Sequence, residues 1–140
     1  ETLRELSSRG YALGLVTSKG RPAARMSLAR FDLATHFRLV VTAEDTTQHK
    51  PNPAPILLAL ERLRVAPPNA LYVGDSAHDL VAGKAAGIRV AAAMWGPCAS
   101  HDLPSYRPDY ALCSIVELLE ICAPLDSPLG KVDNAPNPQP

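Results

Sequence analysis

Four short, nearly unbroken apolar runs, each followed by a helical pattern, constrain this chain more than any other feature. They are Ala12-Leu13-Gly14-Leu15-Val16, Arg38-Leu39-Val40-Val41-Thr42, Ala70-Leu71-Tyr72-Val73-Gly74 and Arg89-Val90-Ala91-Ala92-Ala93-Met94. Runs of this length, bounded by Gly, Asp or Thr, read as strands covered on both faces. Ala111-Leu112 marks a weaker fifth strand. Between the runs, Leu3 and Leu6 lie on an opening helix that stops at Gly10, a left-handed terminator. Ala24, Leu28 and Phe31 form a stripe on a helix from about Pro22 to Phe31. Ile56, Leu57, Leu60 and Leu63 follow Pro53 and Pro55, which suit a first turn. Ala77, Leu80 and Val81 begin a helix ending near Gly87, and Ser114 with Glu117 forms a capping box ahead of Leu118 and Leu119. Strand–helix alternation of this kind predicts an α/β fold with a parallel sheet and flanking helices.

At 140 residues the chain has room for one domain. Fourteen basic residues balance fourteen acidic ones, which leaves no electrostatic footprint for nucleic acid or an anionic membrane. No apolar run approaches the ~20 residues of a membrane span. Cys98, Cys113 and Cys122 are too few and too irregularly spaced for a disulfide framework or a zinc site, so they are expected to be buried or idle thiols in a reducing cytoplasm. From Ala123 to Pro140 the chain turns proline-rich and poor in large apolar residues, the composition of a disordered tail.

In an open parallel sheet, ligands gather beyond the carboxyl ends of the strands. Three polar stations lie at such places. Thr17-Ser18-Lys19-Gly20 follows the first run, where a hydroxyl and helix-opening amides suit either an anion or a simple helix cap. His49-Lys50-Pro51-Asn52-Pro53 places Lys50 just before a helix, against the macrodipole. That cation is either solvated or held by a nearby anion. Gly74-Asp75-Ser76-Ala77-His78-Asp79 puts two carboxylates four residues apart, able to share Mg²⁺ or to cap the helix and complement its dipole. His78 is expected to point away from that face. Glu44 and Asp45 follow another strand, and either form an exposed acidic loop or reach the same rim.

Taken in order, Leu15-Val16-Thr17-Ser18-Lys19, His49-Lys50-Pro51-Asn52-Pro53 and Val73-Gly74-Asp75-Ser76-Ala77-His78-Asp79 resemble the haloacid dehalogenase superfamily of phosphohydrolases. The phosphoglycolate phosphatase and pyrophosphatase branch is the nearest in pattern. Ala85-Ala86-Gly87-Ile88, Trp95-Gly96 and Pro108-Asp109-Tyr110 fit as well, so the resemblance spans residues 1–122. It implies a small phosphorylated metabolite as substrate and Mg²⁺ as cofactor. It also implies that Thr17 and the Ser18 backbone bind the phosphoryl group, and that Lys50 neutralises its charge and orients the attacking carboxylate. Asp75 would coordinate the metal, and Asp79 would hold the metal or its water shell.

The family attacks phosphate with an aspartate in a D-x-D-x-T motif, the second aspartate serving as general acid and base. No D-x-D occurs in these 140 residues. The resemblance therefore implies the C-terminal part of such an enzyme, without its nucleophile, cap domain and central strand, and inactive by itself. The missing strand would lie between those ending at Thr17 and Gly74, leaving two inner edges unpaired and the chain marginal alone. A non-catalytic module that keeps the phosphate and metal rim is the alternative. No G-x-G-x-x-G or G-x-x-x-x-G-K-[ST] follows a strand, which disfavours a nucleotide-binding fold. A phosphorelay receiver is disfavoured by the order of its stations. Substrate identity and oligomeric state are not legible.

Overall fold

A computed structural model describes residues 1–99 and 102–123. All five expected strands form, as β1 (Gly14–Val16), β2 (Leu39–Val41), β3 (Leu71–Gly74), β4 (Arg89–Ala93) and β5 (Tyr110–Leu112). The helices are α1 (Thr2–Ser8), α2 (Arg21–Arg30), α3 (Ala54–Leu63), α4 (Ala77–Ala85) and α5 (Leu118–Ile121), with short 3₁₀ turns between them. Every strand pairing is parallel, as the buried apolar runs require.

The strands form two sheets rather than one. β1 pairs with β2, and β3 pairs with β4, which pairs in turn with β5. Among the described residues, β1 and β3 each have a ladder partner on one side only, in keeping with the two free inner edges implied by the resemblance. Helices and side chains hold the halves together. α3 packs on β1 and β2, while α4 packs on β3 and β4. Ile56 and Leu60 of α3 meet Ala82 and Ala86 of α4 in a buried cluster that also takes in Val16 of β1 and Tyr72 of β3. Ile56, Leu80, Val90 and Leu103 are almost wholly buried, each side chain contributing about 1.5–3 kcal/mol of apolar burial.

Several sequence expectations need correction. Phe31 is 65% exposed, and Leu57 also faces outward. Phe31 stands past the end of α2 as its C-cap, and Leu57 lies beside the buried line of Ile56, Ala59 and Leu60 on α3. The expected stop of α1 at Gly10 holds, since the helix runs to Ser8, Arg9 is the C-cap, and Gly10 is left-handed at φ +94°. The Ser114–Glu117 capping box forms, but it opens a 3₁₀ turn before the four-residue α5. Cys98 and Cys113 are exposed rather than buried, because both sit in turns after strands, and Cys122 is half-buried; all three are free thiols. The expected proline-rich tail lies outside the described residues apart from Ala123, whose carbonyl accepts a 2.8 Å hydrogen bond from the Tyr11 phenol. No helix among the described residues is long and apolar enough to cross a membrane.

Candidate functional site

The Lys50 ammonium is the meeting point of the site. Its Nζ donates to Asp79 Oδ1 at 2.7 Å, to the Tyr72 phenol oxygen at 3.1 Å and to the Val16 carbonyl at 3.5 Å. Those acceptors come from α4, β3 and β1, so one cation ties the carboxyl ends of both sheets together. The Lys50 and Asp79 side chains are only 12% and 9% exposed. The anion that makes a cation tolerable just before a helix is therefore Asp79, within the chain itself. Asn52 opens α3 by accepting the Ala54 N–H at 2.9 Å.

Asp79 has no idle oxygen. Its Oδ1 accepts from Lys50 and Tyr72, while Oδ2 accepts from the Ser76 hydroxyl at 2.6 Å and the Ser76 N–H at 3.2 Å. Burial works against the charge, but Lys50 and Ser76 outweigh it and hold the Asp79 carboxyl below its ordinary value of 3.8. Ser76 in turn caps α4 by accepting the Asp79 N–H at 3.3 Å. Helix capping and charge pairing thus coexist at Asp79. Gly74 makes room for this arrangement, since a Cβ there would lie 2.2 Å from the Asp79 Cβ.

Asp75 has a partner of its own. Its Oδ2 accepts the Cys98 N–H at 3.0 Å, and the backbone of Gly96 presses against its side chain so closely that a Cβ would lie 2.4 Å from Oδ2. Asp75 Oδ1 makes no hydrogen bond among the described residues. The two carboxylates expected to share one point have separate hydrogen-bond partners among the described residues, Cys98 for Asp75 and Lys50, Tyr72 and Ser76 for Asp79. For Mg²⁺, a hard cation that takes one or two carboxylates and completes its shell with water or phosphate, Asp75 is the donor with an oxygen to spare. A direct bond from Asp79 would displace Lys50, Tyr72 or Ser76. No group of three or more His, Cys, Asp and Glu side chains able to hold a metal occurs among the described residues.

Thr17 follows the Val16 carbonyl that Lys50 touches. Its N–H donates to the Val41 carbonyl at 2.9 Å, and its hydroxyl oxygen accepts the Lys19 N–H at 3.2 Å. The hydroxyl proton therefore stays available for an incoming acceptor. Ser18 is exposed, and its N–H has no acceptor among the described residues. Neither residue caps α2. That role falls to Glu44, whose two carboxylate oxygens each lie 3.0 Å from the Arg21 N–H. This backbone hydrogen bond is the largest influence holding the Glu44 carboxyl below its ordinary value. Asp45 pairs with Arg21 at 3.1 Å and Arg62 at 3.6 Å and closes a capping box with Thr42. Lys19 reaches Ser27 along α2 rather than the site, and His78 is exposed, pointing away as expected.

Sequence reasoning missed Tyr72 and the capping role of Glu44. Tyr72 lay hidden in an apolar strand, and Glu44 serves a helix 23 residues upstream.

A parallel α/β fold that brings a hydroxyl, an ammonium and carboxylates to its strand ends defines the hydrolase class seen in the comparisons. The haloacid dehalogenase-like hydrolase family matches residues 1–93, and the chain belongs to that family. It is 43% identical over 121 residues to the pyrophosphatase PpaX of Bacillus velezensis, covering 86% of this chain and 56% of that protein. A predicted phosphoglycolate phosphatase from Haemophilus somnus superposes with a TM-score of 0.80 at 28% identity, covering 86% of this chain and 53% of that one. A haloacid dehalogenase-superfamily hydrolase from Geobacter sulfurreducens gives 0.74 at 32% identity, covering 86% and 56%. The chain thus spans about half the length of the curated relatives it matches.

Proposed function

We propose that the chain forms the phosphate- and metal-binding part of a Mg²⁺-dependent phosphoric monoester hydrolase acting through an aspartyl-phosphate on a small phosphorylated metabolite in the cytoplasm. The observation that carries this is the Lys50 ammonium, held by Asp79 at the end of β1 beside Thr17 and Ser18. Thr17 Oγ1 and the Ser18 N–H are donors for a phosphoryl oxygen, and Lys50 supplies positive charge beside them. Phosphoryl transfer depends mainly on such positioning and charge stabilisation. Asp75 would hold Mg²⁺, which supplies further charge neutralisation when bound. Asp79 acts by fixing Lys50, and in the Mg²⁺ complex it belongs to the outer shell. The nucleophile and general acid come from a D-x-D-x-T segment outside these residues, so the 140-residue chain alone turns over no phosphate ester.

The test is Mg²⁺-dependent phosphate release by the full gene product from pyrophosphate, phosphoglycolate and p-nitrophenyl phosphate. Asp75→Asn should abolish the Mg²⁺-dependent rate. Lys50→Ala should cost about 2–4 kcal/mol of transition-state stabilisation, as loss of an oxyanion donor does. Wild-type rates in both variants would reject these roles. The alternative of a non-catalytic module is favoured by one fact, the lack of any D-x-D in these residues. It predicts phosphate and Mg²⁺ binding without turnover in the full gene product.

A further inference from the structure

We infer that Tyr72 is a positioning residue for the Lys50 ammonium, its phenol fixing where that positive charge stands at the carboxyl end of β1. The inference rests on the phosphatase reading of Lys50 and adds a residue that no motif contains. An ion pair with Asp79 alone leaves a long lysine side chain free to swing around one oxygen. A second acceptor from β3, the phenol oxygen at 3.1 Å, and a third from β1, the Val16 carbonyl, reduce that freedom to a point.

The phenol itself is anchored. Its ring belongs to the core shared by α3 and α4, and Gly83 of α4 lies beside it, where an added Cβ would meet the Tyr72 Cβ at an ordinary contact distance of 3.5 Å. The hydroxyl lies 3.2 Å from Asp79 Oδ1 and 3.5 Å from the Val16 carbonyl. Donating to Asp79, it offers its lone pair to Lys50. Burial, then the negative charge of Asp79, push the phenol pKa above its usual range, in keeping with a phenol that donates to Asp79. Lys50 Nζ also stands 5.7 Å from the ring centroid. Phenylalanine keeps that face and the core volume, so Tyr72→Phe removes the hydroxyl alone.

The test uses the full gene product labelled with ¹⁵N-lysine, the Lys50 Nζ signal being assigned by its loss in Lys50→Arg. Tyr72→Phe should raise the water-exchange rate of the Lys50 ammonium protons about fivefold, as expected for one lost hydrogen bond. With p-nitrophenyl phosphate, kcat should fall by a similar factor and KM stay within about twofold. A folded Tyr72→Phe protein with unchanged exchange and unchanged kcat would overturn the inference. If Tyr72→Phe fails to fold, 3-fluorotyrosine labelling weakens the phenol as an acceptor at nearly constant volume. Faster Lys50 exchange then supports the inference, and an unchanged rate overturns it. Faster exchange in Tyr72→Phe, together with a wild type that releases no phosphate, supports the positioning role and rejects the phosphatase reading.

Discussion

Replacing Lys50 by Met separates the structural weight of the charged cluster from its chemistry. The pair is short, at 2.7 Å, with both side chains nearly excluded from water. At an effective dielectric near 20, two unit charges at that separation attract by about 6 kcal/mol. Desolvating the two ions removes several kcal/mol of this, so the intact pair is worth little over an apolar replacement. Removing one partner is different, because the other charge is left buried. Such deletions cost about 3–5 kcal/mol. Ser76 and Tyr72 would still donate to Asp79, which sets the expected loss at the lower end, about 3 kcal/mol. The assay is urea unfolding of the full gene product at pH 7, followed by circular dichroism, with the midpoint falling and the slope unchanged. A second arm varies pH. Because Asp79 is held below its ordinary value of 3.8, its contribution is complete above about pH 4 and fades as pH falls through the lower folded-state value. Lys50→Met should flatten that acid dependence. A loss under about 1 kcal/mol, typical of an exposed pair, with the acid dependence unaltered, would refute the reasoning.

Two further outcomes follow from close contacts at the strand ends. Gly96→Ala should press a methyl group into the Asp75 carboxyl and reduce kcat/KM for Mg²⁺-dependent phosphate release by about 10²-fold, the cost of an ångström-scale misplacement; wild-type turnover would show that Asp75 is not needed where it stands. Glu44→Gln should lower hydrogen-exchange protection at the start of α2, and in the wild type that protection should fade as pH drops through the depressed Glu44 value. Unchanged protection in both would remove Glu44 as the cap.

The strand ends were legible because parallel strands announce themselves as apolar runs, and the residue after each run must lie on the ligand-bearing rim. Thr17 and Asp75 stand out that way, Lys50 by its place just before a helix, and Asp79 by its spacing from Asp75. Their partners were harder to see. Nothing in Asp75-Ser76-Ala77-His78-Asp79 tells which carboxylate Lys50 will claim, since that depends on how the halves carrying β1 and β3 dock. Tyr72 was read as one more apolar strand residue, although a phenol within a buried run needs a polar partner, and that need was the available signal. Glu44 was beyond local pattern, because its target at Arg21 is near only after β2 has paired with β1. Phe31 and Leu57 belong to helical stripes in the sequence yet stand exposed, because a stripe does not show how wide its cover will be.

The central claim is that Thr17, Ser18, Lys50 and Asp75 serve one magnesium-bound phosphoryl group. The most direct measurement is an NMR titration of the full gene product with Mg²⁺ and orthophosphate, following the amides of Ser18 and Asp75 and the Nζ of Lys50. The account predicts that Mg²⁺ alone moves Asp75, and that phosphate added with Mg²⁺ moves Ser18 and Lys50 along one common saturation curve. Signals that respond with unrelated affinities, or a silent Lys50 at saturating phosphate, would contradict it.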